Sequence, residues 1–297
     1  MKKGILYSAI TSLMFGVSSI FFKMFYFMGL NSISVNFYVA LFPTLALFAQ
    51  KLISERSLKF LKISKRDFLL SFVNSGIIGL FLISISIITS IQYIPVGIQQ
   101  MISSSSSVFV VIIYVVFLHK KPTKQDFIAC LLVLTGLYFV VGKITITQHN
   151  GVAIGFVFCL LSMTAEASYS TVLAENPTNC DDITFWFYAF LGYFTASLVN
   201  ISLTDGFGSI MPLKNIRDIL FVFIATYASR ALCYITFKRG LIALGPIKHL
   251  IIIAFSPFIS VILGVILFRE SIAPLQCLGG ALILLSSMTP MFIKPRT

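Results

Sequence analysis

The sequence predicts an all-α membrane protein of ten transmembrane helices, built as two inverted five-helix repeats with the N and C termini in the cytoplasm. Three observations predict it: an apolar composition, a series of apolar runs of membrane-crossing length, and a self-similarity at a fixed shift of 150 residues.

The chain has 297 residues, of which 58% are hydrophobic and 11% charged. A soluble domain carries about 25% charged residues because its surface must face water. This chain has too few charges to cover such a surface, so much of its outside must face lipid. The formal net charge is +12. On a soluble protein that would point to nucleic acid. Here the basic residues gather in short loops between apolar runs, so the partner they imply is the lipid bilayer and no nucleic acid.

A helix needs about 20 apolar residues to cross the hydrocarbon core. Spans of that kind lie near 4–29, 34–53, 68–91, 97–118, 125–143, 151–173, 183–203, 216–239, 246–268 and 273–293. The first is too long for the core of a cleavable signal, so it reads as a retained helix. The charge-free run from Phe68 to Leu118 must be two spans, broken at the turn sequence Gln92–Gly97 that contains Pro95.

With a cytoplasmic N-terminus, 15 Lys and Arg residues fall on the inner side and 4 on the outer. That asymmetry decides the expected orientation. The loop at 174–182 is the exception, with Glu175, Asp181 and Asp182 and no basic residue.

Sliding the chain by 150 residues aligns the fourth and fifth spans with the ninth and tenth without a gap. Ser106 meets Ser256, Val111-Ile112 meets Val261-Ile262, and Leu132 and Leu134 meet Leu282 and Leu284. Ser12 and Ser18 meet Ser162 and Ser168 by the same offset. The repeats are 1–145 and 146–297, and five spans in each invert the second relative to the first. Inverted repeats are common in secondary transporters, whose substrate sites lie near the midplane between the halves.

One segment carries a family resemblance. Leu244-Gly245-Pro246 opens the ninth span; Ser256-Pro257, Leu267-Phe268-Arg269-Glu270 and Gly279-Gly280 follow it. With two five-helix halves, this pattern resembles the drug/metabolite transporter superfamily, EamA type, over nearly the whole chain. The first half departs from it: Lys120 stands where Glu270 maps, and Ala129-Cys130 where Gly279-Gly280 map. The resemblance implies an inner-membrane carrier without ATP hydrolysis or cofactor; members move amino acids, nucleotide sugars, cofactors and drugs.

Charged residues inside spans cost about 2.5–3.5 kcal/mol each on insertion scales, so each needs a reason. Glu166 in the sixth span and Arg230 in the eighth lie at similar depth. In one reading both line the central cavity. Arg230 holds a carboxylate or phosphate through its planar fork, and Glu166 holds an ammonium group or takes a coupling proton. In the other they form a structural ion pair. Lys23 reads as a side chain snorkelling to the headgroups, or as a lysine in an outer vestibule. Lys248 and His249, just after Pro246, read as an interfacial pair or a gate.

Ser103 to Ser107 form an unbroken serine run in the fourth span. Small polar residues allow close helix packing and can also wet a pathway. With Gln99 and Gln100 a turn earlier, the run points to Gln100, Ser104 and Ser107 as pathway residues. Tyr169, Tyr188, Tyr193, Tyr227 and Tyr234 can stack on a planar ligand or anchor at the interface, and Tyr227 lies one turn from Arg230 and would share its face. The five cysteines have no CxxC or Cys/His spacing and read as small buried side chains, without disulfide or metal. No phosphate loop, nucleophile elbow or paired His is present.

The expected function is therefore secondary transport of a small polar metabolite, an amino acid or related zwitterion or anion, by alternating access. The alternatives are a multidrug or cation exporter of the same fold, and a non-transport membrane enzyme or scaffold.

Overall fold

The computed structural model describes residues 2–105, 109, 113, 116, 124–141, 150–176, 178–204, 206–244, 252–253 and 255–292. These residues are helical, with short connections. In chain order the helices are α1 (Lys2–Phe27), α2 (Ser32–Glu55), α3 (Lys65–Ser90), α4 (Val96–Ser103), α5 (Lys124–Val141), α6 (Asn150–Glu175) and α7 (Asp182–Leu203). Next come α8, made of Ile216–Thr226, Tyr227–Leu232 and Cys233–Leu244, then α9 (Ser256–Phe268) and α10 (Pro274–Phe292). Two stretches are π-helical: Leu69–Leu82 in α3 and Tyr227–Leu232 in α8.

Six helices, α1, α2, α3, α6, α7 and α8, are long and apolar enough to cross a membrane by length and composition. Shorter apolar stretches occupy Phe127–Val140 in α5, Ser256–Phe268 in α9 and Pro274–Ser286 in α10. The spans expected at 97–118 and 246–268 are described chiefly at Val96–Ser103 and Ser256–Phe268, as α4 and α9. The chain is a multi-pass membrane protein on this evidence. Large apolar side chains stand exposed on many helices, among them Phe127 at 71%, Tyr138 at 71% and Leu203 at 80%. In water such a surface would aggregate, whereas lipid tails satisfy it.

The break expected near Pro95 is where α3 ends and α4 begins. Tyr93 and Ile94 both donate backbone N–H groups to the Ser90 carbonyl, closing the last turn of α3. Pro95 then enters in extended conformation and α4 starts at Val96.

The helices pack in a pattern that survives exchanging the two halves. α1 packs on α8, and α6 on α3. α1 packs on α9, and α6 on α4. α3 packs on α7, and α8 on α2. The pairs α2–α7, α4–α9 and α5–α10 join equivalent helices. Small residues allow the closest approaches: a methyl added at Gly76 of α3 would lie 2.5 Å from the Ala189 carbonyl oxygen of α7.

The main core is aromatic. Phe22, Phe25, Phe185, Trp186, Phe190 and Tyr193 are all buried within it. Edge contacts order these rings: Phe185 meets Trp186 at 5.1 Å and 89°, and Phe25 meets Phe221 at 6.0 Å and 84°.

The acidic loop before α7 has a structural role. Lys51, near the end of α2, donates to Asp181 at 2.9 Å and pairs with Glu55. Lys238 of α8 pairs with Asp182 at 2.7 Å. Asp181 also caps α7, accepting from the Thr184 backbone N–H and hydroxyl. Asp181 and Asp182 are thus counter-ions to bases at the ends of α2 and α8, which gives these two acids a role apart from the charge asymmetry. Burial opposes the Asp181 carboxylate, but the Lys51 ammonium and the Thr184 hydrogen bonds outweigh it and hold its carboxyl below the usual range. A depressed carboxyl contributes stability above its unfolded value and loses that contribution as pH falls through the folded one. Asp181→Asn should lower the thermal midpoint of the purified protein at pH 7, and the wild-type advantage should begin to shrink below about pH 4 in a pH series and continue to fall at lower pH.

Candidate functional site

The candidate site centres on Arg230. It lies in the π-helical turn of α8 and is only 3% exposed. Its guanidinium sits over the Phe22 ring of α1, 4.7 Å from the centroid. Its Nε and Nη2 have no hydrogen-bond acceptor among the described residues.

Those facts set up a balance. A desolvated cation–π contact returns about 2 kcal/mol. Each buried donor left unpaired costs about 1–3 kcal/mol. Two unpaired donors on a buried cation outweigh one aromatic face, so the empty protein holds Arg230 at a cost. Such an expense in a membrane interior points to a ligand group that would complete the guanidinium.

No ion pair joins Arg230 to Glu166 among the described residues. The two converge on Tyr234 instead. The guanidinium lies beside the Tyr234 hydroxyl, and the Glu166 carboxylate acts on that hydroxyl and on Tyr169. Tyr193 also lies within the field of Arg230. Tyr193 donates its hydroxyl to Asn36 Oδ1 at 2.7 Å, which ties α7 to α2. Trp186 packs 4.8 Å from Tyr234, and its Nε1 has no acceptor among the described residues. Around Tyr234 the protein thus gathers three buried N–H donors with no acceptor among the described residues. Donors of this kind suit an anionic oxygen group, and the rings offer stacking surface.

The other expected residues are distributed differently. Tyr169 of α6 is buried at 8% exposure, in a small cluster with Ile83 and Ala165. Its carbonyl accepts the Asn74 side-chain amide of α3 at 3.2 Å. Tyr227 does not follow Arg230 around the helix in the expected way. The π-turn changes the rotation between them, and the Tyr227 ring stacks on Phe223 at 6.4 Å and 6°. Gln100 and Ser104 sit on α4, where Ser19 of α1 donates to Gln99 and Gln100 at 3.3 and 3.2 Å. Ser104 and Ser105 return their hydroxyls to carbonyls one turn back, at Gln100 and Met101. Ser103 receives the Gln99 amide at 2.6 Å. The described part of the serine run is therefore engaged in intrahelical bonds, and Ser107 lies outside the described residues, as do Lys248 and His249.

Sequence reading missed Phe22, the ring beneath the guanidinium, and Asn36, which fixes Tyr193. Neither carries a signal along the chain, because each acts on a residue more than 150 positions away. Among the described residues no group of His, Cys, Asp and Glu is placed to hold a metal. A surface concavity of about 610 Å³, lined by Lys65, Arg66, Leu69, Leu70, Val172 and Asn176, lies at the end of the bundle that carries the N-terminus, away from Arg230.

With the fold and the site described, the chain can be set beside known proteins. The sequence profile of the EamA-like transporter family matches residues 2–142 and 153–289, covering both repeats. The chain belongs to that family and is a membrane transporter of the drug/metabolite transporter type. No curated protein matches its sequence. Its fold is similar to a solved structure described only as a crystal structure of a protein, with a TM-score of 0.66 and 12% identity. That likeness covers 100% of this chain and 99% of the other.

If Arg230 serves a ligand rather than the fold, removing its charge should not weaken the empty protein. Arg230→Met, which keeps most of the volume, should leave the thermal midpoint of the ligand-free protein unchanged or higher. Replacing a buried ion by an apolar side chain of similar size is neutral or stabilising by about 1–4 kcal/mol. A drop of several degrees in a thermal melt would make Arg230 a structural cation.

Proposed function

We propose that the protein is a secondary active transporter that moves an amino acid or a related zwitterion or anion across the plasma (inner) membrane by alternating access. The observation that carries this is the pair of unanswered donors on Arg230, buried at 3% exposure and held over Phe22. A carboxylate or phosphate of the substrate would accept both, as a planar fork allows. Glu166 would take the substrate's ammonium group or a coupling proton, with Tyr234 between the two charges. Tyr169 lies next to Glu166, while Tyr227, Gln100, Ser104 and Ser107 would line the route to this site.

The inverted repeats, 1–145 and 146–297, supply the motion: rocking of one half against the other would expose the site to each side in turn. The termini face the cytoplasm in this reading, on the strength of the Lys and Arg asymmetry.

A second reading has its own support. Phe22 faces Arg230, Trp186 packs on Tyr234, and Tyr234 lies in the field of the Glu166 carboxylate. An exporter of lipophilic cations would use those faces and the carboxylate, and would have no use for Arg230.

Thermal stabilisation of the detergent-purified protein separates the two. Bound ligand raises stability by RT ln(1 + [L]/Kd), so at 100 Kd the gain is about 2.7 kcal/mol. Against a panel of amino acids, nucleotides, sugar phosphates and lipophilic cations, a zwitterion or anion should stabilise the wild type and fail to stabilise Arg230→Ala. Stabilisation by lipophilic cations alone, equal in both proteins, would select the second reading.

A further inference from the structure

Glu270 follows α9 directly, and the backbone there is built to aim it. Arg269 adopts left-handed geometry with φ 53°, uncommon for a side chain with a Cβ. The turn it makes lets the N–H groups of both Arg269 and Glu270 bond the Gly264 carbonyl, closing α9 with a Schellman-like turn. The carboxylate then folds back over Gly264, where any Cβ would lie 2.6 Å from its Oε2.

The carboxylate belongs to the second repeat, yet its partners belong to the first. Lys23 of α1 donates to Oε1 at 2.6 Å. The Val96 N–H donates to the same oxygen at 3.0 Å, and the Gly97 N–H reaches Oε2 at 3.4 Å. Glu270 thus caps α4 from the other half of the molecule while pairing with α1. Its side chain is 5% exposed and that of Lys23 is 22% exposed. Phe268 covers the pair, with the Lys23 Nζ 4.9 Å from its ring and Phe27 packed against it at 5.5 Å. Lys23 is therefore not snorkelling to the headgroups.

Below this contact α9 lies tightly on the first half. A methyl at Gly97 would meet Val261 at 3.0 Å, and one at Gly16 would meet Ile259 at 2.6 Å. Ser260 donates to the Gly16 carbonyl at 2.6 Å. All of these contacts lie at or toward the end of the bundle away from the N-terminus. One residue before Lys23 is Phe22, the ring that carries Arg230.

We propose that Lys23, Glu270 and the N-terminus of α4 form a latch between the repeats that closes the path to Arg230 from the side opposite the N-terminus. This rests on the reading of the protein as an alternating-access carrier. Opening toward that side requires the latch to part, because it joins α9 to both α1 and α4. Since α1 holds Phe22 as well as Lys23, parting the latch moves one wall of the site. The charge pair alone does not make the latch: a lysine at 270 cannot accept the two backbone N–H groups of α4.

The test places a cysteine at Ser19, one turn below Lys23 and buried at 2% exposure, in a chain whose exposed Cys277 and half-buried Cys130 and Cys180 are changed to Ser. The rate of labelling by a membrane-impermeant maleimide is measured from each side in oriented vesicles. With the latch intact, labelling should be slow from both sides. Glu270→Gln and Lys23→Met should each speed it about tenfold or more, from the side opposite the N-terminus only, as loss of one partner of a buried charged pair implies. Thermal midpoints establish that each variant is folded. The swapped variant Lys23→Glu with Glu270→Lys should stay fast. Unchanged labelling in folded Glu270→Gln and Lys23→Met, or a swap that restores slow labelling, would overturn the latch as described. Ligand stabilisation measured on the same variants fails separately: its absence in the wild type would remove the substrate reading and leave the labelling result standing.

Discussion

Lipid offers no hydrogen bonds, and that constraint organises this structure. Inside the bilayer each backbone and side-chain polar group must find its partner within the protein. The hydroxyls show how. Ser8, Thr11, Thr44, Ser71, Thr226 and Ser229 each bond a carbonyl one turn back on their own helix. A hydroxyl that closes on its own backbone leaves its helix free to pack as though it were apolar. Where hydroxyls reach across helices, as Thr11 does to Thr236, they join α1 to α8. Against that background a buried guanidinium with two donors that find no acceptor among the described residues stands out, since it alone among such groups carries a full charge.

The same rule governs charge. The ionic contacts at the end of the bundle that carries the N-terminus, Lys51–Asp181 and Lys238–Asp182, sit where water can reach them and serve to fasten helix ends. Glu270 is more deeply placed and is satisfied by three donors. A carboxylate so surrounded is well held, yet every donor comes from elements of the other repeat. Its stability and its capacity to separate are therefore properties of one interface.

Much of this architecture was legible in the sequence because the signals are local or periodic. Run length located the six long helices, and Pro95 located the break between α3 and α4. The 150-residue shift found the two repeats that the family match covers. What escaped was set by contacts across the chain. Phe22 looks like one of many phenylalanines until the fold lays it under Arg230. Lys23 and Glu270 are 247 positions apart and only the meeting of α1 with α9 pairs them. For the serine run the reason is different. Composition shows that hydroxyls are present but not where they point, and Ser104 and Ser105 point to their own helix. Tyr227 was placed on the face of Arg230 by α-helical spacing, which the π-turn does not keep.

That π-turn has a bearing on the history of the chain. The stretch Tyr227–Leu232 in α8 falls, after the 150-residue shift, on residues 77–82, inside the π-helical stretch of α3. A wide turn accommodates a residue beyond those an α-helix would use over the same rise. Had only one half acquired it, the registers of the two halves would disagree by that residue across the turn. Both halves carry it, and a single offset serves on either side of it, from Ser12 and Ser162 to Leu134 and Leu284. The distortion that sets the direction of Arg230 is thus shared by the two repeats, while the arginine is not, since Leu80 occupies its place in the first.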